Sequence, residues 1–396
     1  MDLSFFLVAA AAVIAPVIAR LIGRFLVVPL IVFEIALGML LGPSGLGWVS
    51  DSEILETFSQ MGLALLFFMA GNEIDAGAIR GRPVRRAILG WGLSAVLALV
   101  AAAIVGDDVP SIAIIAIALT GTALGTISPI LRDSGLNRGP LGASITAAGA
   151  IGEFLPLVAI TVFLSGREPL SGVLTLVVFV AIVLFAFFAT GRREQRWLTT
   201  LVTKTLHTSG QFAVRVVIFV LAGLVALALA LGVDFLLGAF TAGILARFIL
   251  RSTPASEQEI IDTKLEAVSF GFFVPLFFVT TGVTFPLRSL LDSPTALALV
   301  PIFTVCMLLI RGLPGFLAPP KGTSLSDRRT SGLFAATTLP LVIAVTQIGT
   351  DNEVLDPDIA AAMVGGGLLT VLLFPMLALL GHGRDSSAKT GSSATV

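Results

Sequence analysis

Thr120-Gly121-Thr122-Ala123-Leu124-Gly125-Thr126-Ile127-Ser128-Pro129 interrupts an apolar run that begins near residue 111 and is long enough to cross a bilayer. Glycine, proline and hydroxyl residues in mid-span weaken a helix, and in lipid each backbone group freed by a break needs another partner. A second stretch has the same character: Ala336-Thr337-Thr338-Leu339-Pro340, followed by Thr346-Gln347-Ile348-Gly349. Interrupted spans at matching places in two halves of a chain point to broken helices around a binding site. Glycine and threonine also let intact helices pack closely, so the pattern alone leaves both readings open.

The surrounding composition puts these stretches in a membrane. Of 396 residues, 56% are hydrophobic and 12% charged, against about 25% charged in a soluble domain. Mean hydropathy is +1.02. The formal net charge of -1 gives no reason to expect a nucleic-acid partner. One cysteine, Cys306, and two histidines, His207 and His382, supply neither a disulfide nor a His/Cys metal cluster, and no cofactor is expected. Asp2 precedes the first apolar run where a signal peptide would carry positive charge, so that run reads as a retained helix.

A span needs roughly 20 apolar residues. Thirteen segments qualify: 3–19, 26–42, 54–73, 86–105, 111–131, 140–164, 170–190, 212–231, 233–250, 266–285, 295–317, 330–349 and 359–380. Turns after odd-numbered segments hold Arg20, Arg24, Arg80, Arg82, Arg85, Arg86, Arg132, Arg138, Arg192, Arg193, Arg196, Lys204, Arg247, Arg251, Lys264, Lys321, Arg328 and Arg329. Turns after even-numbered segments hold only Arg167 and Arg288, with acids such as Asp51, Asp107, Asp108 and Asp351. Positive residues stay inside, so the expectation is an N-terminus outside and a cytoplasmic C-terminus at the plasma membrane. Thirteen divides as six, one and six: a first repeat over 1–164, a linker helix over 170–190 and a second, inverted repeat over 212–380. The membrane domain is thus expected to cover 1–380, and no soluble domain is expected within these residues. The Ser-rich tail 381–396 is expected to be disordered.

Charges inside spans are few, and each costs about 2.5–3.5 kcal/mol or more at mid-bilayer. Glu153, in Gly152-Glu153-Phe154-Leu155-Pro156, lies deep in the sixth segment; Arg311, in Ile310-Arg311-Gly312, lies in the eleventh. Glu153 reads either as a carboxylate that binds a proton or a cation in turn, or as a structural ion-pair partner of Arg311. Glu34, in the second segment, and Asn72 with Glu73 and Asp75, closing the third, read as vestibule or structural groups.

Several of these stretches resemble one family. Pro29-Leu30-Ile31-Val32-Phe33-Glu34-Ile35-Ala36-Leu37-Gly38-Met39-Leu40-Leu41-Gly42-Pro43 looks like the second helix of the monovalent cation:proton antiporter-2 family, the sodium/hydrogen exchanger-like membrane domains. Phe67-Phe68-Met69-Ala70-Gly71-Asn72-Glu73-Ile74-Asp75 resembles its third. Gly238-Ala239-Phe240-Thr241-Ala242-Gly243 and Pro275-Leu276-Phe277-Phe278-Val279-Thr280-Thr281-Gly282 resemble its ninth and tenth. The resemblance implies a sodium/proton antiporter fold, all α, with two crossed broken helices. It also implies a homodimer in lipid, built from a dimerisation scaffold and a six-helix core that slides to alternate access. It places the cation-binding acid at Glu153, after Gly152, with a basic partner at Arg311.

The family's polar-plus-Asp pair is Gly152-Glu153 here, which leaves one carboxylate and suggests electroneutral exchange of Na+ or K+ for a proton. Thr120, Thr126, Ser128, Thr346 and Gln347 are expected to add oxygen ligands suited to a hard cation. The alternative on the same scaffold is an organic-solute transporter. An intramembrane enzyme would want paired Asp, Ser with His, or two His flanking a Glu, and the spans hold none of these.

Overall fold

The computed structural model describes residues 3–23, 28–50, 52–74, 81–164, 169–191, 211–250 and 253–392. The polar stretch 192–210, with Arg192, Arg193, Arg196, Lys204 and His207, lies outside the described residues. So do Asp2, Arg24, Asp51, Asp75, Arg80, Arg167, Arg251 and the last four residues of the tail.

The protein is helical among the described residues. Eleven stretches are long and apolar enough to span a membrane, and two shorter apolar helices, Leu30–Leu41 and Phe235–Leu250, fill the remaining places of the expected order. In chain order they begin with α1 (Leu3–Ile22), α2 (Leu30–Leu41), α3 (Glu53–Asn72) and α4 (Arg82–Val105). The fifth span is broken into α5 (Val109–Leu119) and α6 (Leu124–Asp133), followed by α7 (Gly139–Phe163) and α8 (Pro169–Gly191). Next come α9 (Phe212–Leu231), α10 (Phe235–Leu250), and α11 (Ala255–Val268) joined through a π turn, Ser269–Phe273, to α12 (Val274–Thr284). The short α13 (Leu287–Asp292) leads to α14 (Pro294–Met307), a second π turn (Leu308–Gly312) and α15 (Leu313–Leu317). The twelfth span is broken into α16 (Leu325–Ala336) and α17 (Pro340–Asp351), and α18 (Pro357–Ser392) is last.

The breaks fall where the sequence weakens the helix. Ala123 leaves helical geometry at φ -86, ψ 80 before α6 starts. In the twelfth span Thr337 and Leu339 are extended or irregular, and Pro340 opens α17, where its missing N–H costs nothing. At the far end of the fifth span, Asp108 caps α5: its carboxylate accepts from Ser111 N–H while Ser111 Oγ receives the Asp108 N–H. The Ser111 amide and hydroxyl hold that carboxyl below its usual range.

Two boundaries differ from expectation. The tenth span was expected from 266, but its helix begins at Ala255. Glu257, Glu259, Asp262 and Lys264 make that first part read as polar, yet glutamate and lysine are good helix formers, and Asp262 is engaged by Arg247 and Asn72. At the C-terminus α18 continues past Gly381 to Ser392, through a stretch without proline that can keep its backbone bonds.

Two compact units are present. One holds Met1–Leu55, Ala78–Pro156 and Phe278–Val396; the other holds Glu56–Gly77 and Leu157–Phe277. Each draws residues from both expected repeats. In the first unit α2 touches α12 with almost no side chain between: a Cβ on Gly38 would lie 2.0 Å from the Val279 carbonyl oxygen, and one on Gly282 would lie 2.1 Å from that of Ile35. In the second unit α3 meets α10 in the same way, through Gly71 against Phe240 and Gly243 against Phe68. Small residues let helix backbones approach in lipid, where there is no water-driven force to hold helices together.

Candidate functional site

The first unit carries the breaks and three ionisable side chains that are at most 3% exposed, Glu34, Glu153 and Arg311, of which the last two lie at the breaks. The two unwound stretches meet directly. Ala123 N–H donates to the Thr337 carbonyl at 2.9 Å, and Thr122 Oγ1 donates to the Ala335 carbonyl at 2.5 Å. Thr122 N–H also donates to the Gly152 carbonyl of α7 at 3.0 Å. Backbone groups released by one break are therefore satisfied by the other and by the neighbouring helix, as a non-aqueous surround demands.

Glu153 is 2% exposed. Its Oε2 accepts from the Leu124 N–H at 3.1 Å, and the Gly125 N–H is a second donor to the same carboxylate. Leu124 and Gly125 open α6, so the acid sits on otherwise unpaired N–H groups at the positive end of a half-helix. A helix N-terminus of this kind favours a negative charge without needing a basic side chain.

Arg311 is 3% exposed and projects from the π turn. Its expected role as ion-pair partner of Glu153 is not what the geometry contains. The two residues form no direct ion pair. Arg311 Nε and Nη2 donate to Thr122 Oγ1 at 3.0 and 2.7 Å, Nη2 to the Ala148 carbonyl at 3.1 Å, and Nη1 to Ser94 Oγ at 3.3 Å. The reason is room beside α7. A Cβ on Gly152 would lie 2.2 Å from Arg311 Nη2 and 2.7 Å from Thr122 Oγ1, so the guanidinium and the threonine occupy the volume a side chain at 152 would need. Through Thr122 the cation is linked to the Ala335 carbonyl at the end of α16, a negative helix end. Glu153 and Arg311 are thus each held at a helix end of opposite sign, and the two breaks create those ends.

The other expected residues divide. Thr120 closes α5 and donates to its own helix at the Ile117 carbonyl, 2.8 Å away. Thr126 is buried in the first turn of α6, and its Oγ1 has no hydrogen-bond partner. Ser128 is buried further along the same helix. Thr346 lies well inside α17, its hydroxyl engaged by the Val342 and Ile343 carbonyls, and Gln347 is exposed; neither is bonded to the crossing. Glu34 is buried at 2% exposure, which does not fit a vestibule. In the second unit Asn72 Nδ2 donates to Asp262 Oδ1 at 3.2 Å, and Arg247 pairs with Asp262 at 2.8 Å. Glu73 follows at the end of the same helix.

Sequence reasoning missed Thr122, Ser94 and Thr338. Thr122 stood in the quoted stretch but was not separated from its neighbours. Ser94 is the lone hydroxyl residue of α4, a signal that was available. Thr338 Oγ1 is buried without a partner and lies 3.0 Å from where a Cβ on Gly121 would be.

The pattern of one family, described as "Sodium/hydrogen exchanger, transmembrane", matches residues 9–379. The chain belongs to the sodium/hydrogen exchanger transmembrane family. Among its relatives, the Na(+)/H(+)-K(+) antiporter GerN of Bacillus cereus is 25% identical, over 99% of this chain and 100% of its own length. The putative Na(+)/H(+) antiporter YjbQ of Bacillus subtilis is also 25% identical; the match takes in 90% of this chain but 59% of that protein. The solved structure of the sodium proton antiporter MjNhaP1 from Methanocaldococcus jannaschii superposes with a TM-score of 0.63 at 14% identity, covering 96% of this chain and 95% of the other. At that identity the likeness establishes the exchanger fold, with its two broken helices, and nothing finer.

Proposed function

We propose that the protein exchanges a monovalent cation, Na+ or K+, for a proton across the membrane, with Glu153 as the group that holds proton and cation in turn. The observation that carries this is a buried carboxylate seated on the N–H groups that open α6, beside a helix crossing. Those N–H groups stabilise the ionised acid when its proton leaves, and the carboxylate then offers an anionic oxygen to a hard cation. Thr126 Oγ1, buried in the same turn and unengaged, adds a neutral oxygen donor. Thr120 and Ser128 belong to the same pair of half-helices and are carried as further ligands. The antiporter names of the relatives agree with this chemistry, and the GerN name joins sodium, potassium and protons.

Arg311 keeps a constant positive charge at physiological pH. With one carboxylate in play, one cation displaces one proton and the exchange moves no net charge. The cycle proceeds by alternating access, in a homodimer at the plasma membrane with the N-terminus outside. The test uses everted vesicles with an acid interior. Sodium or potassium added outside dissipates the proton gradient in wild type. Glu153→Gln, expressed to the same level, gives less than about a hundredth of that rate, as loss of a positioned proton-transfer group costs about 10²–10⁴-fold. Full retention of flux in Glu153→Gln would remove Glu153 from the mechanism.

A further inference from the structure

We infer that Glu34 is a second proton-binding site, a carboxylic acid in α2 that keeps its proton in an apolar surround and takes no part in holding the cation. Glu34 is 2% exposed and makes no hydrogen bond or ion pair among the described residues. It cannot rotate out of that place. One turn on, Gly38 lies backbone to backbone against Val279 and Gly282, and the next residue, Ile35, has its carbonyl against Gly282. Gly42 repeats the contact against Val283. A helix pinned along one face by glycine contacts has no freedom to turn a buried acid toward lipid headgroups, and a glutamate stem is too short to snorkel as lysine does.

Among the described residues, α1, α12 and α18 pack against α2. The only charged residue of α1 is Arg20, exposed in its last turn. α12 has none, and α18 from Pro357 to Gly381 carries Asp358 alone, in its first turn. Neither Arg20 nor Asp358 pairs with Glu34. An ionised carboxylate without donors is among the costliest groups to leave in such a place, and a proton removes the charge at once. An alkali cation would not serve instead, because it needs several oxygen donors and α2 offers no other polar side chain. This assignment stands whether or not Glu153 is the exchange carboxylate.

Dicyclohexylcarbodiimide tests it. A protonated carboxyl adds across one C=N bond of the reagent and rearranges to an N-acylurea; the whole reagent is retained and nothing leaves. The full chain in liposomes is treated with and without high sodium, and the peptide containing residue 34 is weighed by mass spectrometry. The expected result is an adduct on Glu34 of equal yield in wild type and Glu153→Gln, unchanged by sodium. An unmodified Glu34, or an adduct that sodium suppresses, overturns the assignment. As a second measurement, Glu34→Gln keeps the wild-type thermal midpoint and folded yield at neutral pH, since a neutral amide replaces a neutral acid of the same shape. A clear drop in midpoint would mean that the negative charge is needed, and the proposal fails.

Discussion

Thr122 is the side chain that ties Arg311 to the second break. One hydroxyl accepts two hydrogen bonds from Arg311 and donates to Ala335, while the amide of the same residue donates to Gly152. Thr122→Val keeps the shape and removes the hydroxyl, so the guanidinium loses its main acceptor in a buried place. A hydrogen bond to a charged group is worth about 1.5–3 kcal/mol. Thermal stability of the purified variant falls by about that amount, and cation-dependent proton flux falls with it. Thr122→Ser retains both within about 1 kcal/mol. Equal behaviour of Val and Ser would show that the hydroxyl carries no load. At this scale the sequence singled out Glu153 and Arg311 as charges inside spans, because such charges are rare enough to stand out, and both are buried. It did not identify what holds them. The partners are a threonine, a serine and a main-chain carbonyl from distant helices, and none of these has a signature of its own. Pairing the two charges with each other was the natural assumption; half-helix ends made it unnecessary.

Among the elements, the stretches that carry the family resemblance turn out to be matched contact surfaces. The second-helix motif contains Gly38 and Gly42; Gly38 lies against Val279 and Gly282 of the tenth-helix motif, and Gly42 against Val283 just after it. The third-helix motif meets the ninth through Gly71 and Gly243. A methyl group on either side of such a contact would meet backbone, not a movable side chain. Gly38→Ala and Gly282→Ala therefore each lower the stability of the folded protein in detergent by about 1–3 kcal/mol, the usual cost of overpacking. Gly223→Ala on α9, where nothing lies within 4 Å, is the neutral control. Thermal unfolding followed by fluorescence decides between them. Hydropathy located the spans well because lipid imposes their length. It misplaced the start of the tenth, whose first turns are charged but helical, and it had no means of sensing the two π turns. One of those turns aims Arg311.

For the whole molecule, the alternation of basic and acidic turns makes an orientation prediction that the lone cysteine renders easy to measure. Cys306 is changed to Ser, and single cysteines are placed at Asp108 and at Arg138, in turns after an even and an odd span. A membrane-impermeant maleimide applied to intact cells labels the first and spares the second; the reverse pattern would invert the topology. The spans and the breaks were legible at this scale because both follow from the bilayer as a solvent. The grouping of helices into two units was not, since each unit is assembled from separated pieces of chain. The space shared by Gly152 and Arg311 has a consequence over longer times. The guanidinium stands where any side chain at 152 would go. A lineage that came to place an amide or an acid there would need the arginine to withdraw or be replaced, because both claim the same volume. The two positions are therefore expected to change together.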